Sequence, residues 1–306
     1  MEEIIKTEAL TKEYGDVKAV STLNLNVRKG EIYGFLGLNG AGKTTTIRML
    51  LGMIHPTSGS AFITGEKVHA NHNKLWKKIG HLVEIPYSYP NLTVRENLEI
   101  IRRLRFIEKK DAVGRIIDRL GLSQYANRKA KNLSLGNKQR LGLAKALIHD
   151  PEILILDEPA NGLDPAGIHD IREMLNHLAA EQKVTIFISS HILDEISRFA
   201  TRIGIIHQGE MVKEIDTDQL DALCQKHLFV QSKDLKAACD ILKKNGYKQC
   251  EMQENRIRIS DEQAISDPAE IGSILVNSGY PPSLLHVTEE DLESYFLRTI
   301  KSNGGA

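Results

Sequence analysis

The 306 residues, 41% hydrophobic and 26% charged, have the composition of an ordinary globular chain, long enough for one large domain plus a small one. Lys+Arg and Asp+Glu both number 40, so no net basic charge favours nucleic acid through phosphate contacts, and no nucleic-acid partner is expected. Cys224, Cys239 and Cys250 lack metal-like spacing and read as reduced intracellular thiols. Met1-Glu2-Glu3-Ile4 is not a signal peptide and no apolar run approaches membrane-spanning length, so at a membrane another chain would have to do the spanning.

In chain order, 4–10 and 17–27 predict two strands joined by a turn at Tyr14-Gly15-Asp16. At that turn the Tyr14 ring either stacks on an adenine or packs, and spacing favours neither. The short apolar run 32–36 predicts a buried strand and 45–51 an apolar-faced helix. Between them, Gly37-Leu38-Asn39-Gly40-Ala41-Gly42-Lys43-Thr44 fits the P-loop pattern G-x-x-x-x-G-K-[ST] without a mismatch. Glycines let the backbone N–H groups turn toward phosphate oxygens, and the helix start adds its dipole. Lys43 would reach the β- and γ-phosphates of a bound nucleotide, and Thr44 would hold a bridging Mg²⁺, with Leu38, Asn39, Gly40, Ala41, Gly42 and Thr45 completing the cradle.

Further on, 60–64 and 79–83 predict strands, the latter ending at Glu84, and Pro86, Tyr87, Tyr89 and Pro90 follow in a loop. Thr93 and Glu96 form a capping-box pattern that opens a helical subdomain over about 90–150, broken near Glu108 and Lys109. A helix runs from Leu133-Ser134-Leu135-Gly136-Asn137 to Ile148. The apolar strand 153–156 is then tipped by Asp157 and Glu158. Asp157 is placed to hold Mg²⁺ and Glu158 to orient or deprotonate an attacking water. Asn161-Gly162-Leu163-Asp164-Pro165 turns into a helix over 166–180. His191 follows a buried strand over 184–188, positioned to hydrogen-bond the γ-phosphate. A hairpin around Gln208-Gly209 closes a first domain of 1–215, in which alternating strands and helices imply a mainly parallel α/β sheet. Over 216–306 the order β-α-β-β-α-β predicts a small ferredoxin-like α+β accessory domain ending in a helix.

Leu133-Ser134-Leu135-Gly136-Asn137, followed by Lys-Gln-Arg, resembles the LSGGQ signature of ABC-type ATPases, and it sits just ahead of the Asp157 strand as in that family. With Tyr14, Glu84, Asp164 and His191, the family's landmarks appear in order, and the resemblance covers 4 to about 215. It implies a P-loop ABC ATPase fold with an antiparallel β-subdomain and a helical subdomain. It further implies a dimer sandwiching two ATP molecules, in which Ser134 and Gly136 of one subunit close on the γ-phosphate held by Lys43 of the other. Asp164 would link the two sites.

Two departures stand out. The family usually has Gln where this chain has Glu84, which puts a carboxylate near the metal, as a third candidate to hold it beside Thr44 and Asp157, and near the transmembrane contact; the expectation is that it tunes coupling. Leu135 and Asn137 replace Gly and Gln, with Leu135 expected to cost loop freedom. Glu84, the signature, the C-terminal appendage and the ending Asp291-Leu292-Glu293-Ser294-Tyr295-Phe296 are similar to bacitracin-resistance and lantibiotic-immunity ATPases. That similarity implies the ATP-hydrolysing subunit of an exporter, peripheral on the cytoplasmic face of the membrane. Its permease partner would be docked near Glu84 to Pro90 and the helical subdomain. The alternatives are an importer ATPase with a regulatory C-terminal domain, and an ABC ATPase acting on ribosomes or DNA. The single cassette, the lack of a heptad run and the even charge argue against the latter.

Overall fold

The structure, a computed structural model, describes residues 2–84 and 87–302. The chain divides into two compact units, Met1–Asp218 and Gln219–Ala306. In the first, β1 (Glu3–Tyr14) and β2 (Val17–Arg28) pair antiparallel across Gly15, whose φ of 57° makes the turn accessible to glycine. β4 (Ser58–Ile63) and β5 (Glu66–Lys67) extend this sheet in the order β2-β1-β4-β5.

The central sheet has six strands in the order β10-β9-β3-β8-β7-β6. They are β3 (Ile32–Leu36), β6 (Ile79–Leu82), β7 (Ile153–Asp157), β8 (Thr185–Ser190), β9 (Arg202–His207) and β10 (Glu210–Asp216). All neighbours are parallel except β9 and β10, a hairpin through Gln208 and Gly209, both at positive φ. β3, β7 and β8 are buried along their whole length, which is why they read as continuous apolar runs rather than alternating ones. Phe35, Ile155 and Phe187 join residues of β1 and β2 in one core, and the Tyr33 and Phe187 rings stack at 5.6 Å.

Helices α1 (Lys43–Leu50), the short α2 (Asn73–Trp76), α5 (Leu135–Leu147), α6 (Pro165–Gln182) and α7 (Leu193–Ser197) pack on this sheet, while α3 (Val94–Leu104) and α4 (Ala112–Arg119) pack on each other and on α5. The capping box is present: Glu96 N donates to Thr93 Oγ1 and Thr93 N donates to Glu96 Oε2. Leu135 is the first residue of α5, not part of a loop. The expected loss of loop freedom there is therefore corrected, because a helical position has no need of glycine.

The second unit opens with α8 (Leu220–Leu223) and contains β11 (Lys226–Ser232), α9 (Leu235–Lys244), β12 (Cys250–Gln253), β13 (Arg256–Ile259), α10 (Glu262–Ser266), α11 (Pro268–Asn277), β14 (Pro282–Glu289) and α12 (Leu292–Ser302). Its sheet is antiparallel in the order β12-β13-β11-β14, the ferredoxin-like arrangement. The single helix expected before β14 is two helices. Pro268 has no N–H to continue α10, and Asp267 caps a fresh start by accepting from the Ala269 and Glu270 amides. Cys239 and Cys250 are free thiols buried in this core with their sulfurs 3.1 Å apart, and burial beside Cys239 pushes Cys250 up to about 12.

Candidate active site

Because β3, β8 and β7 are consecutive, their carboxyl ends open into one crevice, the place where an open α/β sheet presents polar groups. The P-loop leaves β3 there. Gly42 caps α1 at φ 107°, and a Cβ on it would lie 2.5 Å from the Ala19 carbonyl, so only glycine fits. Lys43 begins the helix, and its side chain is almost fully buried.

Each polar group in the crevice finds a partner within the chain. Lys43 Nζ donates to the carbonyls of Gly37 (2.7 Å) and Leu38 (3.2 Å) and pairs with Glu158 Oε1 at 3.1 Å. His191 Nδ1 meets the other carboxylate oxygen of Glu158 at 2.9 Å. Thr44 Oγ1 donates to Asp157 Oδ2 at 2.8 Å. Asp157 Oδ1 accepts from Ser189 Oγ at 2.6 Å, and that hydroxyl also accepts from the Glu158 amide at 3.0 Å. Glu158 itself has φ 47°, a left-handed conformation costing roughly 1–2 kcal/mol for a side chain with Cβ. The amide bonds to Ser189 hold it there.

Lys43, Thr44, Asp157, Glu158 and His191 are thus brought together as expected from their spacing. Ser189 escaped the sequence reading, although it sits two residues before His191 at the end of the same strand. The Ser189-Ser190-His191 run was the available signal. Leu38, Asn39 and Gly40 are exposed on the loop, Ala41 is buried, and Thr45 lies in the first turn of α1. Tyr14 ends β1 with its ring half exposed and Lys12 Nζ 5.1 Å from the ring centroid, so it is not a core residue.

Glu84 lies on the same cleft as Asn39, Thr44, Asp157 and Glu158. Its carboxylate, however, is taken by Arg48, one helical turn beyond Thr44, rather than by Thr44 or Asp157. Ile85 and Pro86, within the stretch expected to meet a permease, lie outside the described residues. Ser134 is the N-cap of α5, its Oγ accepting from the Asn137 amide at 3.3 Å. Gly136 is the second residue of α5, close to the Leu163 side chain. Asp164 caps α6 by accepting from the Gly167 amide, with Pro165 at the first helical position.

Comparison with known proteins places this geometry. Residues 20–161 match the family model described as ABC transporter. The chain is 44% identical over 302 residues to the bacitracin transport ATP-binding protein BcrA of Bacillus licheniformis, covering 98% of each chain. It is 38% identical over 215 residues to the lantibiotic transport ATP-binding protein SrtF of Streptococcus pyogenes, covering 70% of this chain and 92% of that one. The chain belongs to the ABC transporter family. Among solved structures, the dimeric ABC transporter cassette MJ0796 is 28% identical with a TM-score of 0.65, covering 70% of this chain and 99% of that chain. A dimeric post-hydrolysis state of the same cassette, bound to ADP and Pi, is 26% identical with the same TM-score. The expected ABC fold and ATPase activity are borne out, and the crevice belongs to an ATP-binding, ATP-hydrolysing subunit. Among the described residues no helix is long and apolar enough to cross a membrane.

Proposed function

We propose that this ATPase powers a separate membrane permease that exports, or confers immunity to, peptide antibiotics of the bacitracin and lantibiotic kind. The observation that carries the reading is the extent of the likeness to BcrA. It runs through 98% of both chains, so it includes the second unit as well as the cassette. On this reading the subunit is peripheral at the cytoplasmic face and works as a dimer, in line with the dimeric cassettes it resembles.

In the crevice, Lys43 gives up its loop carbonyls to hold the β- and γ-phosphates of ATP, since an ammonium prefers phosphate oxygens to neutral acceptors. Glu158 is then freed from Lys43 to accept a proton from the attacking water. His191, holding the other oxygen of Glu158 through Nδ1, orients that carboxylate and keeps Nε2 for the γ-phosphate. The Thr44 hydroxyl and Asp157 carboxylate, 2.8 Å apart, are hard oxygen donors that suit Mg²⁺, which takes few protein ligands beside phosphate oxygens and water. When bound, that ion supplies charge neutralisation on the phosphates. Glu84, held by Arg48, is assigned to coupling rather than to the metal. Ser134 and Gly136 at the start of α5 offer a hydroxyl and helix N–H groups to the ATP of a second subunit, with Asp164 at the boundary between the two sites.

The test is the bacitracin and lantibiotic sensitivity of cells carrying this chain with its native permease, comparing wild type with Glu158→Gln. Protection that vanishes in the variant supports the reading. No protection by wild type across a broad peptide panel overturns the antibiotic assignment and leaves the ATPase in place.

A further inference from the structure

The tip between α3 and α4 breaks a rule that four other helices keep. Helices α1, α4, α9 and α11 all end in one pattern, in which the amide after the cap donates three residues back and the next donates five back. In each, the position after the cap is a glycine at positive φ: Gly52, Gly121, Gly246 and Gly279. α3 ends in the same two bonds, from Phe106 N to the Arg103 carbonyl at 3.0 Å and from Ile107 N to the Arg102 carbonyl at 2.9 Å. Here the glycine position is taken by Phe106, at φ 55°. A bulky side chain with a Cβ is strained in that conformation.

Burial does not offset the strain. Phe106 is 86% exposed, more than any other large apolar side chain among the described residues, and nearby Leu104 is 67% exposed. The loop is nonetheless held, since Arg102 Nη1 also donates to the Ile107 carbonyl at 2.6 Å. The tip therefore displays two apolar side chains on a fixed backbone.

Charge is uneven at the same place. The whole chain balances 40 basic against 40 acidic residues, yet 102–110 carry Arg102, Arg103, Arg105, Lys109 and Lys110 against Glu108. Glu99 takes Arg102 and Arg103. Arg105 turns inward, donating to the Trp76 and Ile79 carbonyls and meeting His149 Nε2 at 2.9 Å. It lines a groove at the β6 edge together with Arg48, His81, Glu84 and Lys145. Asp111 is taken by Arg115 at 3.2 Å. Lys109 and Lys110 stay exposed, and among the described residues no carboxylate pairs with either.

We propose that this tip is a lipid anchor. Leu104 and Phe106 enter the boundary between head groups and acyl chains of a bilayer, while Lys109 and Lys110 meet the phosphates of anionic lipids. A bilayer fits better than a protein partner, because two exposed side chains fall far short of the roughly 1,000 Å² that a specific protein interface buries. The unpaired lysines beside them supply the complementary charge for an anionic surface. The inference rests on the reading of this subunit as peripheral at a membrane, and adds a contact with lipid itself.

The experiment is co-sedimentation of the purified full chain with vesicles, in the absence of any permease, so its failure leaves the permease reading in place. The vesicles are phosphatidylcholine alone or with roughly a third phosphatidylglycerol. The proteins are wild type, Phe106→Gly and the double variant Lys109→Gln/Lys110→Gln, each also followed by thermal unfolding. Wild type is expected to bind the anionic vesicles at least about tenfold more tightly than the neutral ones. Phe106→Gly should raise Tm by about 1–4 °C, because glycine relieves the strain, while weakening vesicle binding at least about fivefold. A merely structural phenylalanine would not give that opposition of stability and binding. The double lysine variant should lose about tenfold on anionic vesicles and keep its Tm. Absence of wild-type binding to either vesicle overturns the proposal, as does binding by Phe106→Gly within twofold of wild type. Equal binding of wild type to both vesicles removes the lysine contact and overturns it too. So does a fall in Tm for Phe106→Gly, since the ring would then be part of the fold.

Discussion

The cassette carries two clusters of buried or half-buried charge, and they are built on opposite plans. In the crevice at the ends of β3, β8 and β7, each carboxylate sits between two polar partners: Lys43, Glu158 and His191 form one chain, and Thr44, Asp157 and Ser189 another. At the β6 edge, Arg105 and Lys145 are half-buried cations beside the imidazoles of His81 and His149, and burial lowers the pKa of all four. An internally hydrogen-bonded cluster can wait for its substrate at little cost and exchange internal partners for phosphate when ATP arrives. Half-buried cations without a carboxylate stay costly until something outside the chain supplies the missing charge. The difference separates carboxylates partnered within the chain from cations that meet only neutral acceptors.

The largest effect should come from breaking the partnering in the crevice. Lys43→Ala removes the cation shared by the loop carbonyls and Glu158, and ATP affinity is expected to fall by about thirtyfold or more, read by equilibrium binding of a fluorescent nucleotide. Binding within threefold of wild type would mean that the loop amides alone hold the phosphates.

A smaller effect is expected from Ser189→Ala, which strips Asp157 Oδ1 of its donor and Glu158 N of an acceptor. Stability should drop by about 1–3 kcal/mol in chemical denaturation, with hydrolysis reduced more than nucleotide affinity. An equal loss in both would show that Ser189 supports the loop rather than the two acids.

The basic cluster at the β6 edge is sharpened by acid. His149 is held neutral in the fold at about 4 against an ordinary value of 6.5, so the unfolded chain binds its proton first as pH falls. The stability tied to neutral His149 is complete above pH 6.5, declines between 6.5 and about 4, and is flat below. His149→Asn should flatten that limb of a Tm-versus-pH curve, and an unchanged limb would assign it to other groups.

Smallest is a control away from both clusters. Thr93→Ala removes the hydroxyl of the capping box and should cost about 1 kcal/mol in denaturant unfolding while leaving ATP binding intact.

The crevice was legible in the sequence because its chemistry is local in the chain. A P-loop of eight residues, an acid pair ending an apolar run, and a histidine ending another each announce themselves, and the parallel alternation of elements brings them together. Ser189 and the Arg48–Glu84 pair were not legible, since both depend on which strand ends and helix turns become neighbours. The strand order of the second unit followed from its β-α-β-β-α-β pattern, whereas the break at Pro268 turned on a single cap. The β6-edge groove left no trace at all. Its basic groups come from α1, β6, the residue that ends α3, and α5, and nothing in their spacing shows that Arg105 and Lys145 meet only neutral acceptors.

The account's central claim is that Glu158, released by Lys43 when ATP binds and oriented by His191, activates water for ATP hydrolysis. The measurement that tests it most directly is the steady-state ATP hydrolysis rate of purified Glu158→Gln against wild type, with nucleotide binding followed in the same samples. The account predicts a loss of about 100-fold or more with ATP binding retained. A variant that binds ATP and hydrolyses it within threefold of the wild-type rate would contradict it.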